Sequence, residues 1–156
     1  MSRTFIETSR LLLRELADSD LQDFFRLESD RVVQEHVTGL TNSTISTVEH
    51  AEDVLHSIIR QYTEHGTGRM AVIEKASGLF IGLAGIKWHD ETVNDHSSFY
   101  ELGYRLLPQY WGKGYATEAG KAAYDHCVSL FAPPKIYAYV HVGNQGSVNV
   151  LTKLNL

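Results

Sequence analysis

Apolar and polar positions change their period several times along the chain. Residues 10–16 alternate, with Leu11 and Leu13 on one side and Leu12 and Arg14 on the other, which predicts a strand. Asp18, Ser19 and Asp20 then offer capping groups, and Leu21, Phe24, Phe25 and Leu27 form a helical stripe. A second helix is predicted from about residues 44–47 to about Glu64, because Val48, Ala51, Val54, Leu55, Ile58 and Ile59 recur at steps of three and four. His65-Gly66-Thr67-Gly68 closes it. Period two returns in 70–73, 79–88 and 98–107, separated by a short turn at 75–78 and a polar loop at 89–96, as in an antiparallel meander. After Gly112, Ala116, Ala119, Ala123, Cys127 and Leu130 fall on one helical face, and Ala132-Pro133-Pro134 ends it. A β-rich run at 136–142 and a short helix at 147–154 follow. The order βααβββαβα predicts an α/β fold of the α+β type, a largely antiparallel twisted sheet with helices on both faces.

Composition narrows the class. With 156 residues, 43% hydrophobic and 21% charged, the chain suits one domain with one substantial core. Its net charge of −5, from 14 basic and 19 acidic residues, argues against a nucleic-acid binder. It is compatible with cationic partners such as amines, and also with an acidic surface that only aids solubility, the reading preferred. The apolar stretches are too short to span a bilayer, and residues 1–7 lack the apolar core of a secretory signal. A lone Cys127 forms no intrachain disulfide and suits a reducing cytoplasm. The eight histidines show no metal-ligand spacing, so no metal is expected.

The chemistry concentrates in Leu106-Leu107-Pro108-Gln109-Tyr110-Trp111-Gly112-Lys113-Gly114-Tyr115-Ala116. A predicted strand runs into a glycine-containing loop that opens a helix. Glycines let the backbone turn and approach a ligand, and the unpaired N–H groups of a helix start attract an anion. Lys113 adds a positive charge. The dinucleotide fingerprint fails because Thr117 stands at its third glycine, and the P-loop spacing fails as well. On the loop alone, a pyrophosphate site and a plain tight turn before a helix both remain open.

Gln109-x-x-Gly112-x-Gly114 matches the Q/R-x-x-G-x-G/A signature of the GNAT acetyltransferases, which this chain closely resembles. Tyr100-Glu101-Leu102-Gly103-Tyr104 with residues 111–119 is similar to the branch containing the ribosomal-protein N-terminal (alanine) acetyltransferases. So are the opening Thr8-Ser9-Arg10-Leu11-Leu12-Leu13-Arg14 and the tail from Asn144-Gln145-Gly146-Ser147 to Leu154.

The resemblance implies direct transfer of acetyl from acetyl-CoA to a primary amine, without an acyl-enzyme. It implies that backbone groups of Leu106 and Leu107 hold the pantetheine arm. Gln109, Gly112, Lys113, Gly114, Tyr115 and Ala116 would form the pyrophosphate loop, with Asn144 also near the cofactor. An N-terminal amine has a pKa of roughly 8 and a lysine roughly 10.4, so a general base helps. Glu101 is the candidate base, since a carboxylate inside a central strand is paired or working; the alternative is a structural pair with Arg105 on the same strand face. Ser147 is the candidate proton donor to the thiolate and Asn144 the residue that orients the site, with helix capping as the alternative for both. Trp88, His89, Tyr100 and Tyr62 are candidates for the acceptor pocket, with core or rim packing as the alternative for each. Cys127 reads as a core residue.

The family pattern continues Lys-x-Gly-Phe and a further strand where this chain reads Lys153-Leu154-Asn155-Leu156 and stops. The whole of 1–156 therefore reads as one GNAT domain lacking the final strand. An incomplete sequence, a partner chain over the open edge (a homodimer among the candidates) and a natural short form are the alternatives; the first is preferred. The first acceptor expected is a protein or peptide N-terminus, then a small amine such as an aminoglycoside or polyamine. A non-catalytic acyl-CoA-binding domain is the competing class.

Overall fold

The computed structural model describes residues 5–38, 45–90, 98–132, 136–138, 149 and 152. Within them a six-stranded sheet runs in sequence order: β1 (Phe5–Glu7), β2 (Leu11–Arg14), β3 (Arg69–Glu74), β4 (Phe80–His89), β5 (Phe99–Leu106) and β6 (Ile136–Tyr137). Every neighbouring pair is antiparallel except β5 and β6, which are parallel at Tyr100–Ile136 and Glu101–Tyr137. The helices are α1 (Leu21–Glu28), α2 (Arg31–Thr38), α3 (Val48–His65) and α4 (Tyr115–Phe131). This is the mixed α/β architecture expected.

Two cores lie on opposite faces of the sheet. On one face Ala119, Ala123 and Cys127 of α4 pack against Leu11, Leu13, Met70, Ile86, Leu102 and Leu106. On the other, Phe24, Leu27, Val33, Ala51 and Leu55 cover Ala71, Leu83 and Leu107. Small residues along α4 let the helix approach the strands closely. Leu130, expected on that apolar face, is 55% exposed. The buried positions of α4 step by four through Tyr115, Ala119, Ala123 and Cys127, and the next step falls on Phe131 rather than Leu130; Phe131 is exposed at the helix end but stacks on Tyr100 at 5.7 Å.

Two elements go beyond the sequence reading. The first strand is a hairpin, because Phe5-Ile6-Glu7 pairs with Leu12–Arg14; its outer residue Phe5 is exposed and leaves no apolar alternation to read. Helix α2 follows α1 after a short break and buries Val33 while Val32 stays exposed. Elsewhere local chemistry sets the bounds. Thr47 caps α3 by accepting from the His50 amide at 3.1 Å, and Gly66 ends it with φ 73°. Asp20 does not cap α1; its carboxylate takes a two-pronged bond from Arg14 at 2.8 and 2.9 Å and one from the Ala17 amide.

β4 outruns β3, whose first residue Arg69 pairs with Gly85. Past that point helix α3 and its connection close the edge. The Gln61 amide both accepts from Trp88 N (3.1 Å) and donates to Trp88 O (3.2 Å), as a neighbouring strand would, and the Thr67 hydroxyl donates to Ile86 O (3.0 Å). Of the helix expected at 147–154, Asn149 and Thr152 are described and both are helical.

Candidate active site

β5 carries candidate functional groups at both ends. At its C-terminal end the chain leaves through Leu107 and a 3-10 turn (Pro108–Tyr110), with Pro108 fixing its first position. Gly112 has φ 76° with open space where a Cβ would stand, and Gly114 has φ 82°. Both lie in the left-handed region that L side chains rarely adopt. Gly114 is the N-cap of α4 and supplies no side-chain cap, so the amides of the first turn depend on an outside partner. Gln109, Gly112, Lys113 and Gly114 are exposed, Ala116 is half-buried, and Tyr115 is buried.

The loop is fastened from two directions. Glu118, in the first turn of α4, accepts from Arg10 Nε at 2.7 Å, from the Arg10 amide at 3.1 Å and from the Thr8 hydroxyl. Arg10 also donates to Lys113 O at 2.9 Å and lies over the Tyr115 ring at 4.3 Å. Burial works to raise the Glu118 pKa, yet the Thr8 and Arg10 bonds outweigh it and hold it below the usual carboxylate value. The Tyr115 hydroxyl donates to Glu74 at 2.6 Å, tying α4 to the end of β3; that bond also raises the tyrosine's pKa. Thus the Thr8–Arg14 and Trp111–Ala119 segments, far apart in sequence, form one structural unit.

Leu106 and Leu107 are both buried. Leu107 N donates to Ile81 O (2.9 Å), Leu107 O accepts from Tyr110 N (3.0 Å), and Leu106 O accepts from the Trp111 indole (2.8 Å). These backbone groups therefore already have partners within the chain.

Glu101 sits near the other end of β5, facing α1 and α2. Five residues of extended strand, roughly 17 Å, separate it from Leu106. Arg105, the partner in the alternative structural reading of Glu101, instead binds Glu28 of α1 at 2.7 Å. Two residues from other strands hold Glu101: His89 Nε2 lies 2.6 Å from Oε1, and Arg69 Nη2 donates to the same oxygen at 3.1 Å. Burial would raise the Glu101 pKa, but the Arg69 charge and the His89 bond outweigh it, and the net shift is downward. Among the acceptor-pocket candidates, His89 is beside Glu101. Tyr62 is half-buried with its hydroxyl donating to Arg69 O and accepting from the Leu16 amide, and the loss of solvent there raises its pKa. Trp88 and Tyr100 stack edge-on at 4.9 Å on the opposite face, with Tyr100 packed into the core beneath α4. Asn144 and Ser147 lie outside the described residues. Among the described residues no group of His, Cys, Asp and Glu could hold a metal, and no helix is long and apolar enough to cross a membrane.

Sequence reasoning missed Arg69. Its signal is indirect: Gly85 and Gly103 interrupt adjacent strands, and glycine within a strand often marks a close approach.

The model of the acetyltransferase (GNAT) domain matches residues 10–156. The chain belongs to the GNAT acetyltransferase family. GNAT relatives include the uncharacterized N-acetyltransferase YoaA of Bacillus subtilis, 26% identical over 149 residues, which are 96% of this chain and 80% of that protein. Among solved GNAT structures, the ribosomal-protein-S5-alanine acetyltransferase from Vibrio fischeri has 19% identity and a TM-score of 0.77, covering 97% of this chain and 81% of that one. The spermidine N-acetyltransferase from Vibrio cholerae, solved with CoA and spermine, has 21% identity and a TM-score of 0.71, covering 94% and 80%. Acetyl-CoA-dependent acyl transfer is the activity that belongs with this GNAT domain.

Proposed function

We propose that this chain transfers acetyl from acetyl-CoA directly to a primary amine, the first candidate acceptor being the N-terminal amine of a protein or peptide. The observation that carries the reading is the layout of β5. An uncapped helix start with two left-handed glycines lies at one end, and a largely shielded carboxylate held by Arg69 lies near the other. An elongated donor with phosphates at one end and a reactive thioester at the other fits that span.

The residues present suit such a donor. The open space at Gly112 and the free first-turn amides of α4 accommodate a pyrophosphate, and Lys113 and Arg10 add positive charge beside it. In the reaction the amine loses a proton to Glu101 and its nitrogen attacks the thioester carbonyl carbon. The C–N bond forms, the C–S bond breaks, and the departing thiolate takes a proton. Ser147, with Asn144 nearby, is the proposed source of that proton.

Vibrio relatives named for a ribosomal protein and for spermidine share this fold, so the acceptor class rests on the Tyr100–Tyr104 and Trp111–Ala119 segments rather than on the architecture. A small polyamine is the second reading. Thiol release from acetyl-CoA, measured with a panel of peptide N-termini and with spermidine, tests both. Turnover of peptides with free α-amines, lost on N-terminal blocking, supports the first reading; turnover of spermidine alone replaces it with the second. Acetyl-CoA binding with no turnover on either panel would favour a non-catalytic binding domain.

A further inference from the structure

Arg69 reaches Glu101 from two strands away. It opens β3, pairs with Gly85 on β4, and Gly85 pairs with Gly103 on β5. Its guanidinium runs along this row, donating to Gly85 O at 3.4 Å and Glu101 O at 3.1 Å before meeting Glu101 Oε1 at 3.1 Å. The path exists because Gly103 has no side chain: a Cβ there would lie 2.5 Å from Arg69 Cζ. At Gly85 a Cβ would meet the β3 backbone, 2.8 Å from Arg69 Cα. Arg69 and Glu101 are both largely shielded, at 17% and 14% side-chain exposure. Both contacts to the carboxylate, from Arg69 and from His89, fall on Oε1; among the described residues Oε2 accepts none.

We propose that Arg69 is the positioning residue of the base. Lying in the groove left by Gly103, it fixes Glu101 through Oε1 and leaves Oε2 as the oxygen that takes the amine proton. This rests on the reading of Glu101 as base given above. An arginine suits the task because its planar fork binds the Glu101 backbone carbonyl and carboxylate together, so strand and side chain are held by one group. Among the described residues, the other charged or titratable groups around Glu101 are Lys87 opposite it on β4, His89 two residues on, Arg105 on β5, Glu28 of α1, and Tyr137 paired with it on β6. Arg69 alone among the described residues bonds both the carboxylate and the backbone of Glu101.

Three variants separate this role from simple structural support. R69M removes the guanidinium, R69K keeps a charge without the fork, and G103A pushes the guanidinium aside while leaving it present. The full chain, labelled with 13C-carboxyl glutamate, is titrated by NMR, with the Glu101 signal assigned by its loss in E101Q. The proposal expects Glu101 to titrate at higher pH in R69M and G103A than in wild type, with R69K in between. Acetyl-CoA affinity by calorimetry stays unchanged. With the best amine found, kcat/KM at pH 6 falls about tenfold in R69M and G103A, and its acid limb moves up. An unchanged Glu101 titration in a folded G103A or R69M overturns the proposal. Wild-type turnover in E101Q, by contrast, removes Glu101 as base, whatever Arg69 does to its titration.

Discussion

Arg10 and Glu118 stand 108 residues apart in the chain and meet at 2.7 Å, clasping the start of α4 to the turn between β1 and β2. The clasp sets the pose of the glycine loop, since Arg10 also holds Lys113 O. E118Q should destabilise the fold by about 1–2 kcal/mol, read from urea unfolding, because charge-assisted bonds are replaced by weaker ones. The sign with pH follows from the lowered Glu118 pKa. Its stabilisation is full above the unfolded value of about 4.3 and is lost as pH falls through the folded value. Wild type should therefore lose stability in that acid range faster than E118Q does; equal slopes would show that the clasp carries no linkage.

G114V should chiefly weaken acetyl-CoA binding. The position has φ 82°, and its new Cβ would stand 3.3 Å from Arg10 Nη2, at the mouth of the loop. Strain of about 1–2 kcal/mol is expected in thermal melts. Calorimetry should show affinity reduced at least tenfold; wild-type affinity would remove the loop from the donor site.

E101Q should lower kcat by about a hundredfold or more while leaving acetyl-CoA affinity within a factor of two. Rapid-mix thiol release and calorimetry on the same preparation check the split. Equal losses in both would point to a structural rather than a chemical role for Glu101.

Trp111 offers an optical reporter. Its indole occupies Leu106 O, a backbone group the donor's pantetheine arm is expected to use, and the residue is 38% exposed. Acetyl-CoA should therefore change tryptophan fluorescence, and W111F should abolish most of that change, leaving the signal of Trp88. A response that persists in W111F would place the arm elsewhere.

The native Cys127 thiol should resist aromatic disulfide reagents at pH 8. It is 1% exposed on the buried face of α4, and burial pushes its pKa up to about 11. Full reaction should appear only with the urea unfolding transition; rapid labelling of the native state would mean that α4 opens locally.

What could be read from the sequence follows from where local chemistry is decisive. The ends of α3 were legible from Thr47 and Gly66, and β3 to β5 from alternation, because those signals are contained in a few residues. Phe5–Glu7 and α2 were not, since their burial is decided by neighbours distant in sequence rather than by a period of their own. The site shows the same division. Gly112 and Gly114 carry their own conformational demand, whereas the partner of Glu101 does not: spacing suggested Arg105 on the same strand, but Arg105 is drawn off by Glu28 and Arg69 arrives from two strands away. Long side chains crossing a sheet leave little trace in sequence except the glycines that make room for them.

The two ends of β5 are built from different parts of the chain. The loop and α4 lean on the first hairpin, while the Glu101 side looks toward α1 and α2 on the opposite face. On the proposed function, drift in α1 and α2 would rework the recognition of an amine while the loop assigned to the donor is inherited intact, so a single scaffold could diversify its clients without re-inventing its fuel.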